Sequence, residues 1–178
     1  MAFKFNTWDF VFVDFEASSF EADAWPIEVG LAWISDDTVH SWSSLIRPET
    51  HWKRSVWSSA SAQVHGITLR ELDAAPSAYG VAQEYRFRVR QHVQIAVSDA
   101  PEWEGAWEER LSETVGARSG HFFDFDQFVR SAFRGDVAAI NHTLAHLEAM
   151  PIAGRAGPDA ERLATTVLQG MRVADADR

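Results

Sequence analysis

Asp9-Phe10-Val11-Phe12-Val13-Asp14-Phe15-Glu16 is the stretch on which the fold turns. Its middle, Phe10 to Val13, is a short run of aromatic and β-branched residues, the pattern of a strand buried on both faces. At its C-terminal end the polarity switches. Side chains alternate along a strand, so Asp14 and Glu16 share one face while Phe15 takes the other. Two carboxylates about 7 Å apart at the end of a buried strand repel each other unless a cation lies between them. Hard divalent ions that prefer oxygen ligands, Mg²⁺ or Mn²⁺, suit such a pair. A D-x-E triplet at a strand end running into solvent carries no chemistry by itself, so the rest of the chain has to decide.

The 178 residues suffice for a single domain with a proper core. Hydrophobic residues make up 46% and charged residues 24%, as in ordinary water-soluble domains. No run approaches the length of a membrane span, and no basic segment precedes an apolar one at the N-terminus. Neither a membrane span nor a signal peptide is therefore expected, and a cytoplasmic location is. The chain has no cysteine, which excludes disulfides, thiolate zinc sites and a cysteine nucleophile. A net charge of −10 argues against a broad basic surface for long duplex DNA. An acidic chain still processes nucleic acid when its carboxylates hold metal and the contacts are few and local. Of the eight tryptophans, some suit base stacking, while most belong in a core or at its rim.

After Glu16 a polar stretch, Ala17 to Ala24, reads as a loop. Ile27 to Ile34 reads as a second strand, Asp36-Asp37 as a turn, and Val39 to Ile46 as a third strand, so the opening third is an antiparallel meander. His51 to Val64 predicts a short helix. Thr68 followed by Glu71 forms a capping box that starts another at Leu69, and Ala74-Ala75-Pro76 ends it. Ser77 to Arg88 fits a helix, although the alternation from Tyr85 to Arg90 also fits a strand. Val93 to Val97 reads as a strand ending in Asp99. Pro101 opens a helix with Trp103, Trp107 and Leu111 along one stripe. Helices are expected over Phe122–Phe133 and Asp136–Met150, then a loop from Gly154 to Pro158. Asp159 opens a last helix, with a frayed tail from Val173 to Arg178.

Four signals stand in one order: Asp14-Phe15-Glu16, then Val64-His65-Gly66-Ile67-Thr68, then Asp99-Ala100-Pro101-Glu102-Trp103-Glu104, then Pro158-Asp159. This set resembles the DEDD superfamily of 3′→5′ exonucleases, which includes proofreading exonuclease domains, ribonuclease T and oligoribonuclease. The resemblance spans about residues 8–172 of one exonuclease-like domain, 1–178. It implies an α/β, ribonuclease H-like mixed sheet, with a three-stranded antiparallel meander plus parallel strands, flanked by helices. It also implies two divalent ions, Mg²⁺ or Mn²⁺, clamping the scissile phosphate. On this likeness Asp14, Glu16 and Asp159 are metal ligands and catalytic residues. The second motif is divided: the family places an Asp after an aromatic residue, where this chain has Glu104 after Trp103, while Asp99 competes from the strand end. Asp99 is slightly preferred, because strand ends hold side chains more rigidly than loops.

The histidine-type branch carries a general-base His five residues before the last Asp. That place is held by Gly154. The tyrosine-type branch finds no support, because no tyrosine follows Tyr85. His142 and His146, at helical spacing, are more often edge residues than a metal grip or a substitute base. The resemblance further implies that Ser18, Ser19 and Phe20 hold the terminal nucleotide. His65 and Thr68, in the His-Gly-Ile-Thr turn, suit contact with substrate, and His65 suits capping or packing equally. Arg86, Arg88 and Arg90 suit phosphates only if they lie near the cleft. Homodimers are common among such enzymes, though no residue here signals one. Two functions stand. One is a metal-dependent 3′→5′ exonuclease on short or single-stranded nucleic acid, slowed by Gly154 at the base position. The alternative is a catalytically degenerate module of the same fold that binds nucleic acid or protein.

Overall fold

Phe10 to Val13 are all fully buried, and they sit at the centre of a mixed five-stranded sheet. The computed structural model describes residues 6, 7, 9–91 and 95–176. The strands are β1 (Phe10–Ala17), β2 (Pro26–Ser35), β3 (Thr38–Leu45), β4 (Ile95–Ser98) and β5 (Phe122–Asp124), in the spatial order β3-β2-β1-β4-β5. The first three form the expected antiparallel meander. Asp36 and Asp37 both take positive φ between β2 and β3, the backbone that a two-residue hairpin demands. β4 runs parallel to β1, and β5 parallel to β4. The α/β mixed sheet expected from the sequence is the observed one.

Seven α-helices flank the sheet among the described residues: α1 (Ser59–His65), α2 (Leu69–Ala74), α3 (Ala78–Gln91), α4 (Pro101–Glu113), α5 (Phe125–Ala132), α6 (Val137–Ala149) and α7 (Ala156–Ala176). A 3₁₀ turn, Arg54–Val56, precedes α1, so the helix expected from His51 is a short turn followed by a short helix. The alternation of β1 divides the core in two. Val11, Val13 and Phe15 pack with Leu72, Tyr85 and Leu111, under α2, α3 and α4. Phe10 and Phe12 pack with Phe125, Phe128 and Leu163, under α5, α6 and α7. The Phe10 and Phe128 rings lie 4.9 Å apart. Each such buried ring stabilises the fold by about 1.5–3 kcal/mol. No helix among the described residues is long and apolar enough to cross a membrane.

Several boundaries differ from the sequence expectation. Phe122–Asp124 is a strand rather than the first turn of a helix. It pairs with β4, and Asp124 then caps α5 by accepting from the Gln127 N–H. Tyr85 to Arg90 is helical, and its alternation arises because Tyr85 faces the core while Phe87 faces solvent. The strand expected from Val93 starts at Ile95, and Val93 itself lies outside the described residues. The last helix starts at Ala156, not Asp159, with Pro158 inside its first turn where a missing N–H costs nothing. It runs on to Ala176, because Ala174 is buried against the second core cluster. The capping box is present: Thr68 Oγ1 accepts from Glu71 N, and Glu71 Oε2 accepts from Thr68 N.

Candidate functional site

β1 is longer than its parallel neighbour. β4 pairs with Phe10–Phe12 and ends at Ser98, so from Val13 onward β1 has β2 on one side and an open edge on the other. Asp14 and Glu16 lie on the face of β1 that carries Phe10 and Phe12, the face α7 covers. The first turn of α7 rests directly on β2 at Gly30, the register partner of Asp14. A Cβ at Gly30 would lie 2.0 Å from the Ala156 carbonyl oxygen, so only glycine permits this approach. The approach brings Asp159 over the strand end. Ligand atoms of Asp14, Glu16 and Asp159 then lie within 4.8 Å of one another, close enough to share one metal ion.

Asp159 is held firmly. Its Oδ1 accepts from Ala153 N at 2.9 Å and its Oδ2 from Arg155 N at 3.1 Å. Burial, then the charges of Glu16, Asp159 and Asp99, push Asp14 well above the usual carboxylate range. Burial, with Asp159 and Glu28, raises Glu16 to about 7. The cause in both cases is crowded negative charge removed from water, which a divalent cation relieves.

Two more acids complete the cluster. Asp99 Oδ2 pairs with Arg162 Nη2 at 3.0 Å, and Arg162 Nε lies 3.6 Å from Asp159 Oδ1. Glu104 reaches the open edge of β1 from α4, on the side of the Phe15 N–H. Its Oε2 is buried and has no hydrogen-bond partner. Burial and the charges of Asp14, Asp99 and Glu16 push Glu104 well above its ordinary value. Asp99 is paired with an arginine, whereas Glu104 keeps a buried oxygen without a hydrogen-bond partner.

These carboxylates line a cleft of about 360 Å³. Its rim is apolar and exposed: Phe20 is 65% accessible, Val64 68%, Trp103 44% and Ile152 73%. Phe20, Trp103 and Trp107 form one aromatic group, with the two indoles stacked at 6.0 Å and Phe20 edge-on to Trp103 at 5.1 Å. The expected Trp103-Trp107-Leu111 stripe is therefore split, with Leu111 in the core and Trp103 at the cleft.

His65 also lines the cleft and is buried. Its Nδ1 accepts from the Ile67 N–H at 3.0 Å, so in the neutral ring the proton sits on Nε2. That Nε2 is buried without a partner. Burial, and then Arg155, holds the imidazole below its ordinary pKa, so it is neutral at pH 7 and presents a donor. Of the other residues expected to contact substrate, Ser19 and Phe20 line the cleft. Ser18 does not, since its Oγ accepts from Trp25 N inside the loop. Thr68 is spent on the capping box. Arg88 pairs with Glu84 and lies over the Trp42 ring, 5.0 Å from its centre.

Gly154 lines the cleft with φ +65°, in the left-handed region. A Cβ there would lie 2.6 Å from the Val64 carbonyl oxygen. The residue is thus fitted to its backbone, and a histidine cannot occupy this conformation without moving the loop. His142 and His146 sit on α6 with rings 6.1 Å apart, and His146 Nδ1 lies 3.3 Å from Thr166 Oγ1. Neither lines the cleft.

Two partners of the site escaped the sequence. Glu28, opposite Glu16 in the register, is gripped by Arg155 through Nε at 2.9 Å and Nη2 at 2.7 Å, and also accepts from Ala156 N. Glu28 inside an otherwise apolar strand was the only hint, since a buried acid needs a partner. Arg162 gave none.

No family model matches the chain, and no curated protein does. Solved structures do. A full-length 3′-exonuclease superposes with a TM-score of 0.68 at 12% identity, over 98% of this chain and 63% of that one. A 3′-exonuclease described in 3′-end specific recognition of a histone mRNA stem-loop gives 0.65 at 13% identity, over 96% and 67%. The zinc-bound form of an E. coli exonuclease I–single-stranded DNA complex gives 0.63 at 13% identity, over 92% and 40%. The chain shares the fold of these 3′-exonucleases and spans about two-thirds or less of their length.

Proposed function

We propose that the chain is a divalent-metal-dependent 3′→5′ exonuclease acting on single-stranded or short nucleic acid. The observation that carries this reading is the cluster of Asp14, Glu16, Asp159 and Glu104 on the floor of a cleft rimmed by exposed aromatic and aliphatic side chains. The donor set fits hard divalent ions: all oxygen, crowded, raised in pKa, with one buried oxygen left over. Asp14, Glu16, Asp159 and Glu104 would hold them. When bound, Mg²⁺ or Mn²⁺ supplies an acidified water and neutralises charge on the phosphate and the leaving oxygen. Asp99 acts at one remove, anchoring Arg162 against Asp159. The rim residues Phe20 and Trp103 stack unpaired bases, and His65 Nε2–H donates to an oxygen of the terminal nucleotide. The cleft is acidic and Arg162, the arginine that lines it, is paired with Asp99, so recognition within the cleft rests on stacking and bound cations.

On the sequence resemblance, Gly154 holds the place at which the histidine-type enzymes keep their base. Such a base is worth about 10²–10⁴-fold in rate, so hydrolysis here is expected to be slow. The second reading, a non-catalytic module that binds nucleic acid, draws on that one observation, the left-handed backbone of Gly154 pressed against Val64. Incubating a 5′-labelled single strand, as RNA and as DNA, with Mn²⁺ separates the two. Shortening from the 3′ end that Asp14→Ala abolishes supports the enzyme. Intact strands, with binding retained and no gain in melting temperature from Mn²⁺, support the module.

A further inference from the structure

The carboxylate cleft lies at the C-terminal ends of β1 and β4. A second cavity, about 340 Å³, lies at the opposite end of β4, where it pairs with the start of β5. Its floor is apolar, formed by Val89 of α3, Ala96 of β4 and Phe122 of β5. Its rim is cationic, with Arg86 and Arg90 from α3 and Arg118 from the loop before β5. Arg86 Nη1 donates to the Arg118 carbonyl oxygen at 3.1 Å, tying helix to loop. Among the described residues neither Arg90 nor Arg118 makes an ion pair. The one carboxylate in the wall, Glu108, is buried and satisfied: Ser112 Oγ donates to it at 2.9 Å and Gly120 N at 3.0 Å. Phe123 is exposed at the edge, with the His121 ring edge-on at 6.0 Å.

Three arginines converging on one concavity reverse the sign of a chain whose net charge is −10. Guanidinium forks match phosphate oxygens, and an apolar floor suits a flat base. The volume falls within the range of ligand pockets, about 300–1,000 Å³. We propose that this cavity is a second, non-catalytic site for a phosphorylated nucleotide, with the phosphate on Arg90 and Arg118 and the base against the apolar floor of Val89 and Phe122. The choice of a nucleotide rests on the exonuclease reading. The choice of an anion with a flat apolar part rests on the cavity itself. The nucleotide comes either from released mononucleotide or from the strand whose 3′ end occupies the cleft.

The experiment is calorimetric titration of AMP into the full chain in EDTA, beside Asp14→Asn, Arg90→Glu and Arg118→Glu. Both arginines are exposed and unpaired, so both variants should melt with the parent. AMP should bind the parent and Asp14→Asn alike, and each arginine variant about tenfold or more weakly, as losing a charge-assisted hydrogen bond implies. Adenosine, without the phosphate, should also bind about tenfold more weakly. Kinetics identify the source. If the strand fills the site, Arg118→Glu raises KM for a long oligonucleotide and not for a dinucleotide. If released mononucleotide does, neither KM moves while AMP affinity falls. Binding that is absent in EDTA, or equal in parent and arginine variants, overturns the proposal. Arginine-dependent AMP binding in a chain that degrades no strand leaves this site standing and removes the exonuclease.

Discussion

Glu28 and Arg155 form a two-pronged ion pair between β2 and the segment that leads into α7, and the same carboxylate accepts the Ala156 N–H. One acid thus fixes both the arginine and the first turn of the helix that delivers Asp159. Glu28 is almost fully buried while Arg155 remains partly exposed. Removing the arginine leaves a buried charge with one backbone partner. Arg155→Ala should cost about 2–4 kcal/mol, between the surface and fully buried limits, read as a lower midpoint in urea denaturation. An unchanged midpoint would show that the pair is ornamental.

The carboxylate cluster predicts an inverted pH dependence. Glu16 titrates near 7 in the fold against 4.5 for an ordinary glutamate. Below about pH 4.5 both states are protonated and the penalty is absent. Between 4.5 and 7 the folded chain binds the extra proton, so stability falls as pH rises through that window. Asp14, Asp99 and Glu104 are displaced in the same direction. The metal-free protein should lose melting temperature from pH 4.5 to 7, and Glu16→Gln should lose less. Mn²⁺ should restore most of the loss at pH 7 and little at pH 4.5. A metal effect independent of pH over this range counts against a shared site.

Glu104→Gln and Asp99→Asn should behave differently. The glutamine keeps the volume but surrenders the charge beside Asp14, so Mn²⁺-dependent stabilisation and hydrolysis should fall by about 10²-fold or more. Asp99→Asn loosens Arg162 and should cost activity only about tenfold, with metal affinity nearly retained. Manganese titration of both variants, followed by melting temperature and by oligonucleotide decay, reads the difference.

Installing a histidine at Gly154 should not create an efficient enzyme. A non-glycine residue at φ +65° costs about 1–3 kcal/mol, and the Cβ meets a backbone carbonyl besides. Gly154→His should melt lower than the parent and gain less than about tenfold in rate. A gain of two orders or more would show that the loop yields and that the position is a vacated base site.

Trp103→Ala should weaken single-strand binding by about 1–3 kcal/mol, the worth of one stacked base. Because the Trp103 indole contributes stacking and no charge, that loss should be nearly the same at low and moderate salt. Fluorescence titration with an oligonucleotide at two ionic strengths tests both statements.

The meander, the parallel strand and Asp14-Phe15-Glu16 were legible because alternation and burial are written locally, two residues at a time. Thr68 and Glu71 were legible for the same reason. Phe122–Asp124 misled because Phe125, Phe128 and Val129 already supply a helical period, and three residues are too few to show a strand's. Arg162, and the pairing of Glu28 with Arg155, were not legible, because each joins segments that only the finished fold brings together. Gly154 was seen as a missing residue but not as a required one, since the sequence gives no φ and no neighbour.

The rest of the centre follows from Gly30. Its bare backbone lets the last helix settle on the second strand, so acids from opposite ends of the chain meet only once that helix docks. The site is therefore a product of long-range contacts, and such contacts close late in folding. A chain lacking its last helix, or still emerging from the ribosome, carries Asp14, Glu16 and Glu104 but not the assembled carboxylate cluster. The place where a metal ion could be shared appears only with completion of the fold.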